Sequence, residues 1–322
     1  MLLNLLLLIV GFVILIKGAD VFVDGASSIA GNFKVSKMLI GLTIVSFGTS
    51  APEFAISVKS LISGNGDIIL GNVIGSNILN ILLILGISAL FHPLRVKNNT
   101  VKKELPLTLL ITLMFSVLLS DTLLDNGVNT FSRSDGIVIV ITFMVFIYYL
   151  FSIMRNKVDN KEEHIDSYLK MPKAIIYTII GIIAVIFGSN FVVDSATFIA
   201  ASFGISDRLI ALTIVAFGTS LPELVTSVSA TRKGEYDIAI GNVVGSNIFN
   251  IGIVTGLPVA IIGGINKVNF NPYDILILLV SISLLLIFSL KDRKITKLEG
   301  FILVAIFIVY YSYVILIGWF TL

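Results

Sequence analysis

Two glutamates, Glu53 and Glu223, stand in the middle of long apolar runs. A carboxylate in hydrocarbon costs at least a few kcal/mol unless it faces a partner, an ion or water, so both need a chemical reason for their place. On a helix, Ser46, Thr49, Ser50 and Glu53 follow the spacing i, i+3, i+4, i+7 and share one stripe, and Ala216, Thr219, Ser220 and Glu223 occupy the matching stripe of a second helix. Asn72, Ser76 and Asn80, and again Asn242, Ser246 and Asn250, recur at i, i+4, i+8 along a single face. These donors are carboxylate, hydroxyl and amide oxygens, without imidazole or sulfur. Such a set suits hard cations of calcium or sodium size and fits magnesium poorly. Two buried negative charges balance one Ca2+, or several Na+ on the same oxygens, so occupancy by one ion would exclude the other.

The helices that carry these groups hold their own breaks. Pro52 cannot donate an amide hydrogen to Gly48, nor Pro222 to Gly218, so both helices are expected to break beside the glutamates and leave carbonyl oxygens for an ion. Gly71, Gly75, Gly241 and Gly245 are expected to let the asparagine-bearing faces pack closely.

The two sets are copies. A shift of 170 residues, the separation of Glu53 and Glu223, aligns 18–81 with 188–251 without a gap and with about half the positions identical. VSFGTSAPEFAIS (45–57) falls on VAFGTSLPELVTS (215–227), and GNVIGSNILNI (71–81) falls on GNVVGSNIFNI (241–251). A single GTS-x-PE could be an ordinary proline kink. Two at one offset are a duplication.

The chain that frames them has 322 residues, 56% hydrophobic and 13% charged, with mean hydropathy +1.02, so the bilayer must be its solvent. The apolar runs predict an all-α membrane protein of about ten spans, near 2–23, 37–61, 67–91, 104–121, 134–154, 174–200, 207–231, 237–263, 273–290 and 297–320. Five spans fall in each copy. An odd number makes the second copy enter from the opposite side, which gives two inverted five-helix repeats, 1–154 and 173–322, joined by a cytoplasmic linker over 155–172. Loops after the odd-numbered spans hold Lys34, Lys37, Arg95, Lys97, Lys157, Lys233, Lys294 and further cations, whereas the opposite loops offer Arg133, Arg208 and Lys267. Positive loops stay cytoplasmic, so the expectation is a multi-pass cell-membrane protein with both termini extracellular. The first run, leading into Lys17, Asp20 and Asp24, reads as helix 1 and not as a signal peptide. Cysteine is absent, which removes disulfides, thiolate catalysis and cysteine-bound metal centres.

At GTS-x-PE and GN-x-x-GSN the chain resembles the sodium/calcium exchanger family of the cation/calcium exchanger superfamily. The resemblance covers essentially the whole chain. It implies secondary active exchange of Na+ for Ca2+ by alternating access, with helices 1 and 6 sliding against the remaining core. It also implies Glu53 and Glu223 as central calcium ligands with Thr49 and Thr219 beside them. Sodium positions would use the Ser46 or Ala216 carbonyl and the hydroxyls of Ser50, Ser220, Ser76 and Ser246, with Asn80 and Asn250 as further ligands. Ca2+ and Na+ would be transported substrates, with no organic cofactor and no nucleic-acid partner. Some relatives, potassium-dependent ones among them, carry aspartate where this chain has Asn250, so the resemblance implies a two-carboxylate site without potassium. The short linker leaves no room for the regulatory domain of animal members. The alternative is Ca2+/H+ antiport with a protonatable glutamate.

Other classes fit less well. A channel would call for a ring of acidic residues from several subunits, and an intramembrane enzyme for a Ser–His or paired-Asp constellation that no span contains. The ATP-binding pattern G-x-x-x-x-G-K-[ST] is missing too. Asp24 and Asp194 are repeat-matched but read as inexpensive end-of-span carboxylates, and His92 and His164 as exposed loop residues. Tyr148, Tyr149, Tyr310, Tyr311, Tyr313 and Trp319 read as interfacial anchors.

Overall fold

The structure, a computed structural model, describes residues 1–122, 128–155, 168–204, 214, 216–265, 268 and 271–320. Most of the linker lies outside these residues, as do His164, Arg208, Lys267 and the side chain of Trp319.

Two long helices pack as a pair. α1 (Leu2–Phe33) ends at Lys34, whose left-handed backbone (φ 54°) lets its N–H bond the carbonyls of Ala30 and Gly31. α7 (Met171–Ser202) starts with Pro172 in its first turn, where a missing N–H is harmless. Each has 32 residues, about 48 Å of helix, well beyond the bilayer thickness. α1 therefore runs past the expected end near 23, because Asp20 and Asp24 find protein partners instead of marking an exit to water. The pair runs antiparallel: a Cβ on Gly11 would meet Phe191 and Val192, on Gly18 Ala184 and Val185, and on Gly25 Thr178, at 2.5–3.0 Å for the nearest atoms. Gly181 and Gly188 lie as close to Phe22 and Leu15. Glycine at every seventh position thus brings the two backbones together.

The middle of the bundle holds α2 (Lys37–Thr49), α3 (Ala51–Ile62), α4 (Gly66–Phe91), α8 (Ala216–Thr219), α9 (Leu221–Arg232) and α10 (Tyr236–Ile262). Ser36 caps α2 through the Leu39 N–H (3.2 Å). The expected breaks occur. α2 and α3 meet at Ser50 with a 47° bend, and α8 gives way to α9 at Ser220, with Pro52 and Pro222 in the first turn of the new helices. α4 and α10 each contain a wide π turn, Asn80–Leu85 and Asn250–Gly256, and both begin at a candidate site asparagine. A π turn rotates the following residues relative to an α-helical register and often marks a functional site.

Around this core stand α5 (Leu105–Leu118, preceded by the π turn Thr100–Glu104), α6 (Arg133–Arg155), α11 (Pro272–Asp292) and α12 (Lys297–Phe320). The purely helical expectation misses one small feature. β1 (Leu94–Arg95) and β2 (Lys294–Ile295) pair antiparallel, Leu94 with Ile295 and Arg95 with Lys294, and Phe131 bridges Ile265 in the same way. In both places two loops lie side by side, and backbone groups outside helices satisfy each other.

Among the described residues, seven helices are long and apolar enough to cross a membrane, namely α1, α4, α6, α7, α10, α11 and α12, and the bent α2–α3 pair makes an eighth. The expected span at 104–121 is α5, only 14 residues beyond its π turn, and the first part of the expected span at 207–231 lies outside the described residues. Lipid anchoring is not the role of every tyrosine. Tyr148 is exposed, but Tyr149 donates to Glu104, Tyr310 donates to Asp274 (2.9 Å), and Tyr313 accepts from Asn271 (3.4 Å). The buried Glu104 and half-buried Asp274 carboxylates recruit Tyr149 and Tyr310 as donors.

Candidate functional site

Both glutamates sit in the first turn after a helix break, Glu53 in α3 and Glu223 in α9, and each is 1% exposed. They face one another closely enough for their charges to interact. Neither oxygen of Glu53 accepts a hydrogen bond among the described residues, although the Thr219 side chain faces it. Glu223 differs: Ser50 donates to its Oε1 at 3.1 Å while Oε2 stays free. One hydroxyl of the first repeat thus holds the carboxylate of the second.

The remaining candidates gather around this pair. Ser220 donates to Ser76 at 3.3 Å, and both are buried. The Ser246 hydroxyl faces Glu223 without making a hydrogen bond. Thr49 donates to Asn242 Oδ1 at 3.1 Å, and the Asn242 amide donates to the Glu223 carbonyl (3.3 Å) and to Ser227 (2.9 Å). Ser46 lies against α10, its Oγ 2.6 Å from where a Cβ on Gly245 would be, while its carbonyl accepts from the Ser50 N–H (3.0 Å). Ala216 opens α8, and its side chain lies outside the described residues. The carbonyl released by Pro222, that of Gly218, accepts from Ser189 of α7 at 2.9 Å. At the matching position of α1 stands Ala19, which offers the Gly48 carbonyl no such hydroxyl.

Asn80 and Asn250 show residues that the stripe reading overlooked. Asn80 donates to Asn247 Oδ1, and Asn250 donates to Asn77 Oδ1, each at 3.0 Å. Asn77 and Asn247 in turn donate to each other's backbone carbonyls at 3.2 and 3.4 Å. With their NH2 groups engaged, Asn80 and Asn250 keep Oδ1 unpartnered. Asn77 and Asn247 are the last letters of the two GSN motifs, so the motif itself was the signal for them.

The glycine faces divide. Gly241 and Gly245 let α10 touch α2, with Met38 O and the Gly41 Cα 2.9–3.0 Å from the would-be Cβ of Gly241, whereas nothing among the described residues comes within 4 Å of the same positions on Gly71 and Gly75. His92 is exposed and stacks on Tyr236, the centroids 5.2 Å apart.

What this arrangement offers chemically is acceptors without donors. Glu53 Oε1 and Oε2, Glu223 Oε2, Asn80 Oδ1, Asn250 Oδ1 and Ser246 Oγ are buried oxygens that no hydrogen bond satisfies among the described residues. Buried lone pairs of this kind are costly unless a cation meets them, and the all-oxygen set fits hard cations.

Known proteins match this chain from end to end. The CaxA protein of Alkalimonas amylolytica is 39% identical over 96% of this chain and 98% of its own length. The sodium/calcium exchanger MaX1 of Methanosarcina acetivorans is 33% identical over 95% of this chain and 97% of its own. The fold matches a solved structure of the sodium-calcium exchanger NCX_Mj, soaked with Na+ and Sr2+, with a TM-score of 0.83, 33% identity, and coverage of 97% of this chain and 98% of that one. The profile of the family described as sodium/calcium exchanger protein matches residues 3–152 and 173–316, so this multi-pass membrane protein belongs to the sodium/calcium exchanger family.

Proposed function

We propose that the protein is a secondary active antiporter that exchanges Na+ for Ca2+ by alternating access through one midplane site, with Glu53 and Glu223 as its central ligands. The observation that carries this reading is the meeting of two buried glutamates, one from each repeat, within a shell of oxygen acceptors that lack donors. Ca2+ is held by both carboxylates, with Thr49 and Thr219 beside them. Sodium ions take positions served by Ser50, Ser220, Ser76 and Ser246 and by the Ser46 and Ala216 carbonyls, with Asn80 and Asn250 completing the shell. The same two negative charges serve either cargo, so one displaces the other.

Two inverted five-helix halves, 1–154 and 173–322, frame the site in a ten-span protein, with 155–172 as a cytoplasmic linker. The antiparallel packing of α1 on its repeat mate α7 supports the inversion, as do the reciprocal bonds between Asn77 and Asn247. Such exchange of contacts is what a two-fold axis produces. The pairing of the basic loops at β1 and β2, with Arg95 beside Lys294, supports a common cytoplasmic side and termini outside.

Reconstitution in liposomes tests the reading. Ca2+ uptake is followed under an outward Na+ gradient and, separately, an outward H+ gradient at fixed membrane potential. Uptake that follows Na+ is expected. Uptake that follows H+ alone would assign proton coupling to Glu53 or Glu223 and remove the sodium positions.

A further inference from the structure

At one end of the bundle charged groups tie α1 to α9, and among the described residues the repeat-related tie between α7 and α3 is not made. Asp20, Asp24 and Ser27 lie along one side of α1 at i, i+4, i+7. Asp24 receives the Lys233 ammonium at 2.6 Å, and Lys233 also donates to the Asp20 carbonyl at 2.6 Å. The Asp20 carboxylate accepts from Ser229 at 2.6 Å, and Ser27 donates at 2.8 Å to Glu235, which pairs with Lys37 at 2.7 Å. Lys233 follows directly on α9, and along this end α1 packs against α9.

The 170-residue shift carries this contact to the other end of the molecule. Asp24 falls on Asp194 of α7, Ser229 on Lys59 of α3, and the α1–α9 packing on α7 against α3. There the structure differs. α7 does not pack along α3, and Asp194 and Lys59 are both exposed, with no ion pair or hydrogen bond among the described residues. Among the described residues, one of these two repeat-related helix contacts is therefore closed and the other open.

We propose that Asp24–Lys233 and Asp194–Lys59 are alternating gate contacts, the first closing one end in the conformation described here and the second forming when the α1–α7 pair tilts to close the other. The proposal rests on the alternating-access reading above. The glycine seam makes α1 and α7 one body, so closing α7 on α3 pulls α1 away from α9. Lys59 stands one helical turn, about 5.4 Å, from the position matching Lys233, a distance the long lysine side chain spans. Both pairs lie at the surface, where an ion pair is weak enough to break on every cycle.

The chain has no cysteine, so introduced pairs report cleanly. Asp24→Cys with Lys233→Cys, and separately Lys59→Cys with Asp194→Cys, are reconstituted and oxidised. Each disulfide is expected to stop Na+-driven Ca2+ uptake and reduction to restore it. The Lys59–Asp194 link should form several-fold faster when Lys233→Ala is added. Working uptake with no Lys59–Asp194 link, or a link that leaves uptake running, overturns the proposal. Should the cysteine pairs fail to fold, the charge swap Asp24→Lys with Lys233→Asp decides: recovery over either single reversal supports the gate, and no recovery overturns it. Loss of Na+-driven uptake in the unaltered protein would instead defeat the proposed exchange itself.

Discussion

Glu53 and Glu223 occupy matched positions, yet their surroundings are unequal. Ser50 donates to Glu223, while among the described residues both oxygens of Glu53 go without a hydrogen bond. Under the proposed function, Glu53→Gln and Glu223→Gln each abolish Ca2+ uptake and leave the bundle folded, because no hydrogen-bond donor is stranded by the lost charge at Glu53 and only a hydroxyl is affected at Glu223. Size-exclusion elution and uptake of the two variants check this, and retained exchange in both would remove the site assignment. Ser50→Ala should act more mildly. It deletes one hydrogen bond to a carboxylate, worth about 1.5–3 kcal/mol, and uptake at limiting Ca2+ should fall on the order of tenfold to a hundredfold. At this scale the sequence was informative about oxygen chemistry, because hydroxyls and amides at helical spacing beside a buried carboxylate have few other uses. It was silent on which amide engages which. Asn77 and Asn247 orient Asn80 and Asn250 across the two copies, and no spacing within one copy reveals a partner 167 or 173 residues away.

Helix breaks at Ser50 and Ser220 were legible in Pro52 and Pro222, since a missing N–H acts locally. The π turns at Asn80 and Asn250 were not, for they arise where α4 and α10 adjust to their neighbours. Likewise Asp20 and Asp24 looked like the end of a span until α9 supplied Ser229 and Lys233 as partners. The glycine seam of α1 and α7 was written in the sequence as Gly11, Gly18 and Gly25, against Gly181 and Gly188, but the more conspicuous GN-x-x-GSN glycines drew the packing expectation to α4 and α10. Gly18→Leu tests the seam. Even its Cβ would stand 2.8 Å from the Ala184 Cβ and 3.0 Å from the Val185 backbone nitrogen, so α7 must move. A loss of about 1–3 kcal/mol is expected, read as a lower midpoint of thermal unfolding in detergent.

Over the whole molecule, duplication is the most legible feature: one offset aligned 18–81 with 188–251 and raised the expectation that the two glutamates share a site. The contacts between the copies include hydrogen bonds of buried amides and close backbone packing, which hold in a bilayer where the hydrophobic effect does not drive helices together. A chain cut within 156–167 and expressed as two pieces should therefore recover Na+-driven Ca2+ uptake when both are present, and neither piece alone should transport. Uptake by one piece, or none by the pair at normal membrane abundance, would count against two interdependent halves. The Asn77–Asn247 contact has a last consequence. Each residue gives the other what it receives, which is the geometry of an isologous interface. Under the proposed inversion, two identical copies of a single half, inserted in opposite directions, could make the same four-amide contact with one another, and the fused chain would then have the form of an antiparallel homodimer whose subunits have become free to differ.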